Sequence, residues 1–157
     1  MKNKTALITA ILICELAGVI GSIFTSPSIS GWYGKLNKPE FTPPSWLFAP
    51  AWVTLYLFMG VSAYLVWEKG ARKKEVRDAL SIFAVQLLLN IFWSIFFFGL
   101  RCSLCGFVEI LLLWLAIVVT IIKFHKVSKP AALLLIPYIL WVSFAAALNF
   151  YVWKLNP

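Results

Sequence analysis

The sequence has few of the residues on which most hydrolases and metalloproteins depend. Of its 157 residues only one is histidine and three are cysteine, and 13% are charged. A serine hydrolase needs a histidine beside its nucleophile and acid, and no such set is apparent around His125. A structural metal site needs about four ligands, which these residues do not offer at a suitable spacing. We therefore expect neither hydrolase chemistry nor a bound metal.

The scarcity of charge also excludes an ordinary soluble domain. Hydrophobic residues make up 62% of the chain, whereas soluble domains are about half apolar and about a quarter charged. A soluble fold of this size would expose apolar patches far larger than monomers tolerate. The chain is therefore predicted to be an integral membrane protein.

Five apolar segments are long enough to cross a bilayer, which requires roughly 20 residues of helix. Alternating patterns typical of a membrane β-barrel are absent. The sequence predicts an all-α bundle of five transmembrane helices in a single domain, 1–157. The predicted spans are about 5–25, 49–67, 79–100, 104–122 and 131–153. A cleaved signal peptide is the alternative for the first span, but its apolar run continues past Glu15 to Phe24 without a clear cleavage site.

The basic residues predict the orientation. Ten of the 14 lysines and arginines lie at the N-terminus and in the second and fourth connections, and four lie on the other side. The positive-inside rule then places the N-terminus inside and the first loop and C-terminus outside. Because the positive charges border the spans, we interpret the net charge of +8 as contact with the lipid bilayer and expect no nucleic-acid partner.

The first connection, 26–49, is unusually rich in proline and aromatic residues. Proline fixes φ and removes a hydrogen-bond donor, so this segment cannot be one continuous helix. The pattern favours a compact lid over the mouth of the bundle. An interfacial aromatic belt is the alternative. Lys35 and Lys38 on this lid are candidates to meet ligand carboxylates at the rim.

Helical spacing predicts which side chains share a face. Gln86, Asn90, Trp93 and Phe97 form one stripe on the third helix. Trp52 and Tyr56 share a face of the second helix, and Trp141, Ala145 and Leu148 share one of the fifth. Indole and phenol rings suit a flat polycyclic ligand, and amides can orient it. The alternative is that the aromatic stripes only pack helices and that the amides bond across them.

One stretch resembles a known family. The segment WYGKLNKPEFTPPSWLFAPAW at 32–52, followed by Leu55 and Tyr56, is similar to the signature of the tryptophan-rich sensory protein/translocator protein (TspO/MBR) family, which includes the peripheral-type benzodiazepine receptor. QLLLNIFWSIFFFG at 86–99 and PYILWVSFAAALNFYVW at 137–153 also agree with it. The resemblance covers nearly the whole chain.

The resemblance implies a five-helix bundle, a homodimer, and a ligand pocket under the first loop. Family members bind porphyrins such as protoporphyrin IX, and mitochondrial members also bind cholesterol and isoquinoline carboxamide or benzodiazepine ligands. It implies that Trp52, Asn90 and Trp141 lie at the ligand or take part in its photochemistry, and that the side chain at Ala145 controls affinity. The full set of expected ligand residues is Trp32, Tyr33, Trp52, Tyr56, Gln86, Asn90, Trp93, Trp141, Ala145 and Leu148. Porphyrin is expected as a ligand, and no cofactor is required.

Sterol binding has weaker support. The fifth helix fits the permissive cholesterol pattern of Leu or Val, Tyr, then Lys. Many family members, however, place a tyrosine directly after the asparagine, where Phe150 stands, and Tyr151 therefore occupies the next helical face. Cholesterol is accordingly a doubtful partner.

Four polar residues within or beside the spans have open interpretations. Glu15 is either a proton relay or a carboxyl bonded to a neighbouring helix. Glu109 is expected to reach the interface or Arg101. Cys102 and Cys105 are either a redox pair or, as we favour, small residues at a tight turn.

Three functions remain in competition. The first is a receptor or sensor for tetrapyrroles and planar drug-like ligands, with a possible link to tetrapyrrole transport or stress regulation. The second is an enzyme that degrades porphyrin with light and oxygen, using Trp52 and Trp141. The third is a small proton-coupled transporter using Glu15, although the chain has no internal repeat of the kind from which many transporters are built.

Overall fold

Helices make up almost all of the chain in the computed structural model, which describes residues 3–157. Over this range the secondary structure contains no strand. The elements are α1 (Lys4–Ser30), α2 (Trp32–Lys35), a 3₁₀ turn (Ser45–Leu47), α3 (Phe48–Trp67), α4 (Lys74–Ser94), a π-helical turn (Ile95–Gly99), α5 (Ser103–Val127), α6 (Lys129–Leu134) and α7 (Ile136–Leu155).

Five segments are long and apolar enough to cross a membrane, as the sequence predicts. They are Lys4–Ser30, Ser45–Trp67, Lys74–Gly99, Ser103–Val127 and Lys129–Leu155. All five extend past the predicted spans at one end or both, because backbone hydrogen bonding continues into polar flanks that hydropathy does not mark. The fifth span is two helices, with a break at Leu135 just before Pro137, where the proline ring disfavours a continuous helix.

The first helix continues through Pro27, beyond its expected end near residue 25. The proline lies on the exposed side of α1. Ser28, the next residue, is buried, and its hydroxyl donates to the carbonyl of Phe98 at 2.9 Å. This anchor holds the last turn of α1 against the π turn and compensates for the hydrogen bond that proline cannot make.

The packing leaves one region of the bundle without close backbone contact. Helix α1 packs on α3 and α4, and α5 packs on α4 and α7. Helix α7 has few close contacts with α3 or α4. The space between these three helices is filled by aromatic side chains, and it borders the candidate site.

The first loop is folded back along α7. Two reciprocal hydrogen bonds join Asn37 and Asn156, at 3.0 and 2.9 Å. Farther along, the Phe41 ring contacts the rings of Phe144 and Tyr151. These contacts give the lid that the sequence predicts a defined position against the fifth span.

Two interpretations of isolated polar residues are corrected. Cys102 and Cys105 are joined in a disulfide rather than being merely small residues at a turn. Glu109 does not pair with Arg101 or reach the surface. It is 4% exposed, and neither carboxyl oxygen has a partner among the described residues, because it lies on the buried face of α5 with Gly106 and Leu113.

Candidate functional site

A cavity of about 270 Å³ lies between α1, α3 and α4, with α7 behind it and the first loop above it. Its lining is mainly aromatic, aliphatic or small. The lining residues are Glu15, Gly18, Val19, Gly21, Ser22, Thr25, Ser26, Ile29, Tyr33, Ser45, Phe48, Ala49, Trp52, Val53, Tyr56, Asn90, Trp93, Ser94, Phe97, Phe98, Ala145, Leu148 and Asn149.

One wall of the cavity is a continuous row of rings. The ring centroids of Trp52 and Trp93 are 6.1 Å apart, and those of Trp93 and Phe97 are 5.8 Å apart in a stacked arrangement. The π turn after α4 carries Phe97 and Phe98, and both line the cavity. Turns of this kind are frequent at functional sites. The wall therefore presents broad aromatic faces suited to a flat ligand.

Behind this wall runs a chain of buried hydrogen bonds. The hydroxyl of Tyr56 donates to Asn90 Oδ1 at 2.6 Å, and Asn90 Nδ2 donates to the hydroxyl of Tyr138 at 2.7 Å. Tyr138 in turn donates to Gln86 Oε1 at 2.8 Å. The two amides thus bond across helices, the alternative that the sequence left open. Asn90 also lines the cavity, and its second amide hydrogen makes no bond with residues 3–157.

A second polar contact fixes the orientation of Trp93. Its indole nitrogen donates to Asn149 Oδ1 at 3.2 Å, and Asn149 Nδ2 donates to the carbonyl of Ala145 at 2.8 Å. This links α4 to α7 beside the cavity. The ring of Trp93 is therefore held in place before any ligand binds.

The lid closes the outer end of the cavity. The ring of Tyr33 packs on Phe97 and Phe98, with centroids 6.1 and 5.7 Å away. Burial raises the pKa of the Tyr33 hydroxyl to about 12, so this residue is uncharged at neutral pH. The amino group of Lys38 donates to the carbonyls of Tyr33, Gly34 and Leu36. It is thus engaged within the lid rather than free for a ligand carboxylate.

The opening of the cavity lies between α1 and the start of the second span. Small or short side chains border it on both sides, and all are exposed: Val19, Ser22, Ser26, Ser45, Ala49 and Val53. The valines at its edges are 58% and 57% exposed. Because these residues lie on the outer surface of membrane-spanning helices, the cavity opens sideways toward lipid.

Comparison with known proteins places the chain in a family. The TspO/MBR family pattern matches residues 10–154. The chain belongs to the TspO/MBR family. It is 47% identical to "Tryptophan-rich protein TspO" of Chlorobaculum tepidum, over 99% of both chains. It is 39% identical to "Translocator protein" of Homo sapiens, over 90% of this chain and 85% of that one, and 34% identical to "Tryptophan-rich sensory protein" of Cereibacter sphaeroides, over 80% and 77%.

Most of the residues that the sequence and the TspO/MBR resemblance single out meet at the cavity. Seven of them line it, namely Tyr33, Trp52, Tyr56, Asn90, Trp93, Ala145 and Leu148. Three do not. Trp32 packs behind Phe97 at 5.6 Å, and Gln86 is 1% exposed at the inner end of the hydrogen-bond chain.

Trp141 is the third residue outside the cavity. Its ring lies 6.0 Å from that of Phe48, which does line the cavity. Trp141 instead borders a separate surface groove with Pro43, Leu47 and Leu140. Its indole nitrogen is buried and has no partner among the described residues. Phe48 therefore stands between Trp141 and any ligand in the cavity.

Sequence reasoning missed the contribution of α1. Gly18 and Ser22 form part of the cavity, although small residues four apart in a membrane helix are more often typical of close helix contact. Gly18 does both, since a Cβ added there would lie 2.6 Å from the Tyr56 ring. Glycine is thus required where α1 passes over Tyr56, and the space next to it remains open. Periodicity alone does not distinguish a packed ridge from a cavity wall.

Proposed function

We propose that this TspO/MBR membrane protein is a receptor or sensor that binds planar apolar ligands of the tetrapyrrole type in the cavity between α1, α3 and α4. The observation that carries the proposal is the ring wall formed by Trp52, Trp93 and Phe97. Offset or edge contacts with such rings contribute about 0.5–1.5 kcal/mol per pair beyond the burial of area. Asn90 supplies a polar group that can orient a ligand nitrogen or carbonyl.

The dimensions of the cavity determine how a tetrapyrrole would sit in it. At about 270 Å³ the cavity is near the lower limit for sites that enclose drug-sized ligands, about 300 Å³. A smaller isoquinoline or benzodiazepine ligand would be mostly enclosed. A porphyrin would place one edge against Trp52 and extend through the opening at Ser22 and Ala49, with its carboxylates toward the headgroups near the start of the span Ser45–Trp67. Binding from the bilayer follows from this geometry.

The names of the relatives agree with this role. One bacterial relative is named a sensory protein and the human relative a translocator protein. We assign sensing to this chain because the first loop contributes Tyr33 to the lining of the cavity, where it would contact a bound ligand directly. Binding would then be signalled by the lid, whose Tyr33 contacts the cavity.

Tryptophan fluorescence tests the proposal. Titrating the detergent-solubilised protein with protoporphyrin IX in the dark should give saturable quenching with micromolar or tighter affinity. Trp52→Phe should reduce the quenching at saturation, because Trp52 lies in the wall. Trp67→Phe, at the inner end of α3, is the matched control and should leave the fractional quenching nearly unchanged. Linear, unsaturable quenching of folded protein would overturn the proposal.

Light-dependent porphyrin degradation is the second candidate, and the exposure of the Trp52 indole to the cavity favours it. Illumination of the same complex in air should then bleach the porphyrin faster than free porphyrin, and Trp52→Phe should abolish the difference. Because Phe48 separates Trp141 from the cavity, Trp141→Phe should have the smaller effect. Equal bleaching rates with and without protein would exclude catalysis.

A further inference from the structure

Among the residues that line the cavity, Glu15 is the one charged side chain, and this residue lies deep in the membrane. Glu15 lines the inner end of the cavity, one turn of α1 before Gly18. At about 1.5 Å per residue, it lies about 17 Å along a helix about 40 Å long. A carboxylate near the middle of a bilayer is costly, and such residues usually mark a substrate or ion pathway.

Nothing in the described chain neutralises this carboxyl group. Glu15 makes no hydrogen bond or ion pair with residues 3–157. The residues that line the cavity include no lysine, arginine or histidine. The neighbouring hydroxyl of Tyr56 has already donated its hydrogen to Asn90. The interpretation of Glu15 as a carboxyl bonded to a neighbouring helix therefore lacks its partner among the described residues.

The surroundings of Glu15 fit a cation with an aromatic frame. A positive group is attracted to the faces of tryptophan and tyrosine rings, and Trp52 and Tyr56 line the same cavity, with ring centroids 5.7 Å apart. A hydrogen bond from a charged donor to a carboxylate is also stronger than a neutral one. A carboxyl group that shares a cavity with these rings and has no basic residue in the lining is thus complementary to a protonated nitrogen.

We propose that Glu15 makes the cavity selective for planar aromatic ligands that carry a protonated nitrogen, which pairs with the Glu15 carboxylate while the rings lie against Trp52 and Trp93. This inference rests on the proposed function because it uses the same cavity. It adds a class of ligand that the aromatic wall alone does not distinguish from neutral compounds. The ligand supplies the charge that the protein lacks.

Two planar probes of similar size distinguish the effect of ligand charge on binding from the effect of ligand shape. At neutral pH 9-aminoacridine is a planar cation and acridine is largely neutral. The protein in a non-ionic detergent should bind 9-aminoacridine about tenfold or more tightly than acridine, as expected for one charge-assisted hydrogen bond. Glu15→Gln should abolish this preference, and Glu15→Asp should retain part of it. Unchanged binding of neutral acridine by the glutamine variant would show that it did not lose the preference by misfolding.

Glu109→Gln is the matched control, since Glu109 is also within a span but does not line the cavity. This variant should keep the full preference. Equal binding of the two acridines by the unmodified protein, or a preference that survives Glu15→Gln, would overturn the inference. Loss of the preference in Glu109→Gln would also overturn it, because the effect would not be local to Glu15. Saturable protoporphyrin binding by the unmodified protein in the same preparation tests the proposed function separately.

Discussion

Ala145 is a small residue in the wall that α7 contributes to the cavity. It is buried in the α7 wall, and its carbonyl accepts a hydrogen bond from Asn149, which in turn holds Trp93. Ala145→Thr should therefore narrow the cavity and weaken the binding of bulky planar ligands by about tenfold, since overpacking costs about 1–3 kcal/mol. Ala147→Thr, on the exposed face of the same helix, is the control. Ligand titration of both variants measures the two affinities. An unchanged affinity in Ala145→Thr would contradict the placement of Ala145 in the wall of the ligand cavity.

The hydrogen bond between Tyr56 and Asn90 is a second feature with a measurable energy. Asn90→Leu should lower the free energy of unfolding by about 1–3 kcal/mol, because it leaves the buried Tyr56 hydroxyl without its acceptor. Tyr56→Phe should also destabilise the protein by leaving Asn90 Oδ1 unpaired. The double variant should cost less than the sum of the two. Strict additivity in thermal denaturation followed by circular dichroism would show that the bond contributes nothing.

At the scale of the helix, the close packing of α1 against α3 depends on one glycine, Gly60. A Cβ at Gly60 would lie 2.5 Å from the Cα of Ile11, which is closer than real contacts allow. Elsewhere in a helix, glycine to alanine is stabilising by about 1 kcal/mol. Gly60→Ala should instead lower the melting temperature, because α1 must move away from α3. An unchanged or raised melting temperature would contradict the close packing described for these helices.

The lid is attached to the last helix by a pair of hydrogen bonds that can be removed separately from the cavity. Asn156→Ala removes both bonds to Asn37. Amide hydrogen exchange in residues 36–44 should increase several-fold as this segment opens more often. Exchange within α5 should not change, and it serves as the internal control. Equal protection of the lid in both proteins would mean that the aromatic contacts of Phe41 hold it without the asparagine pair.

At this scale the sequence predicts where helices lie better than what their side chains contact. The five spans follow from hydropathy because a bilayer imposes one length and one polarity on all of them. The residues at the cavity follow in part from helical spacing, which groups Asn90 with Trp93 correctly. Spacing also groups Gln86 with them, yet Gln86 lies one turn deeper, where it bonds to the Tyr138 hydroxyl and the Met59 sulfur instead of lining the cavity. Which members of a stripe meet open space depends on the neighbouring helices.

Glu109 and Trp141 illustrate what lies beyond such reasoning. The carboxyl oxygens of Glu109 and the indole nitrogen of Trp141 are buried and have no hydrogen-bond partner among the described residues. The sequence analysis expected Glu109 to reach the interface or Arg101, and Trp141 to contact the ligand. Their positions are set by packing between α5 and α7 and by the fold of the lid. Neither arrangement has a signal in the local spacing. The disulfide at 102 and 105 likewise depends on the turn geometry between α4 and α5.

For the whole molecule, the orientation in the membrane stays a prediction. The distribution of positive charge places the lid outside and the connection between α3 and α4 inside. Single cysteines introduced as Lys35→Cys and Arg72→Cys, in a protein whose native cysteines are replaced, test this in intact cells. A membrane-impermeant maleimide should label the first and not the second. Labelling of Arg72→Cys alone would reverse the orientation.

The central claim is that a planar ligand binds against the aromatic wall between α1, α3 and α4. A structure of the protein with a bound porphyrin tests this most directly. We predict ring contacts with Trp52 and Trp93, and a macrocycle that extends through the opening beside Ser22 and Ala49 with its carboxylates toward the headgroups. A porphyrin found in the outer groove at Trp141, with the cavity empty, would contradict the account.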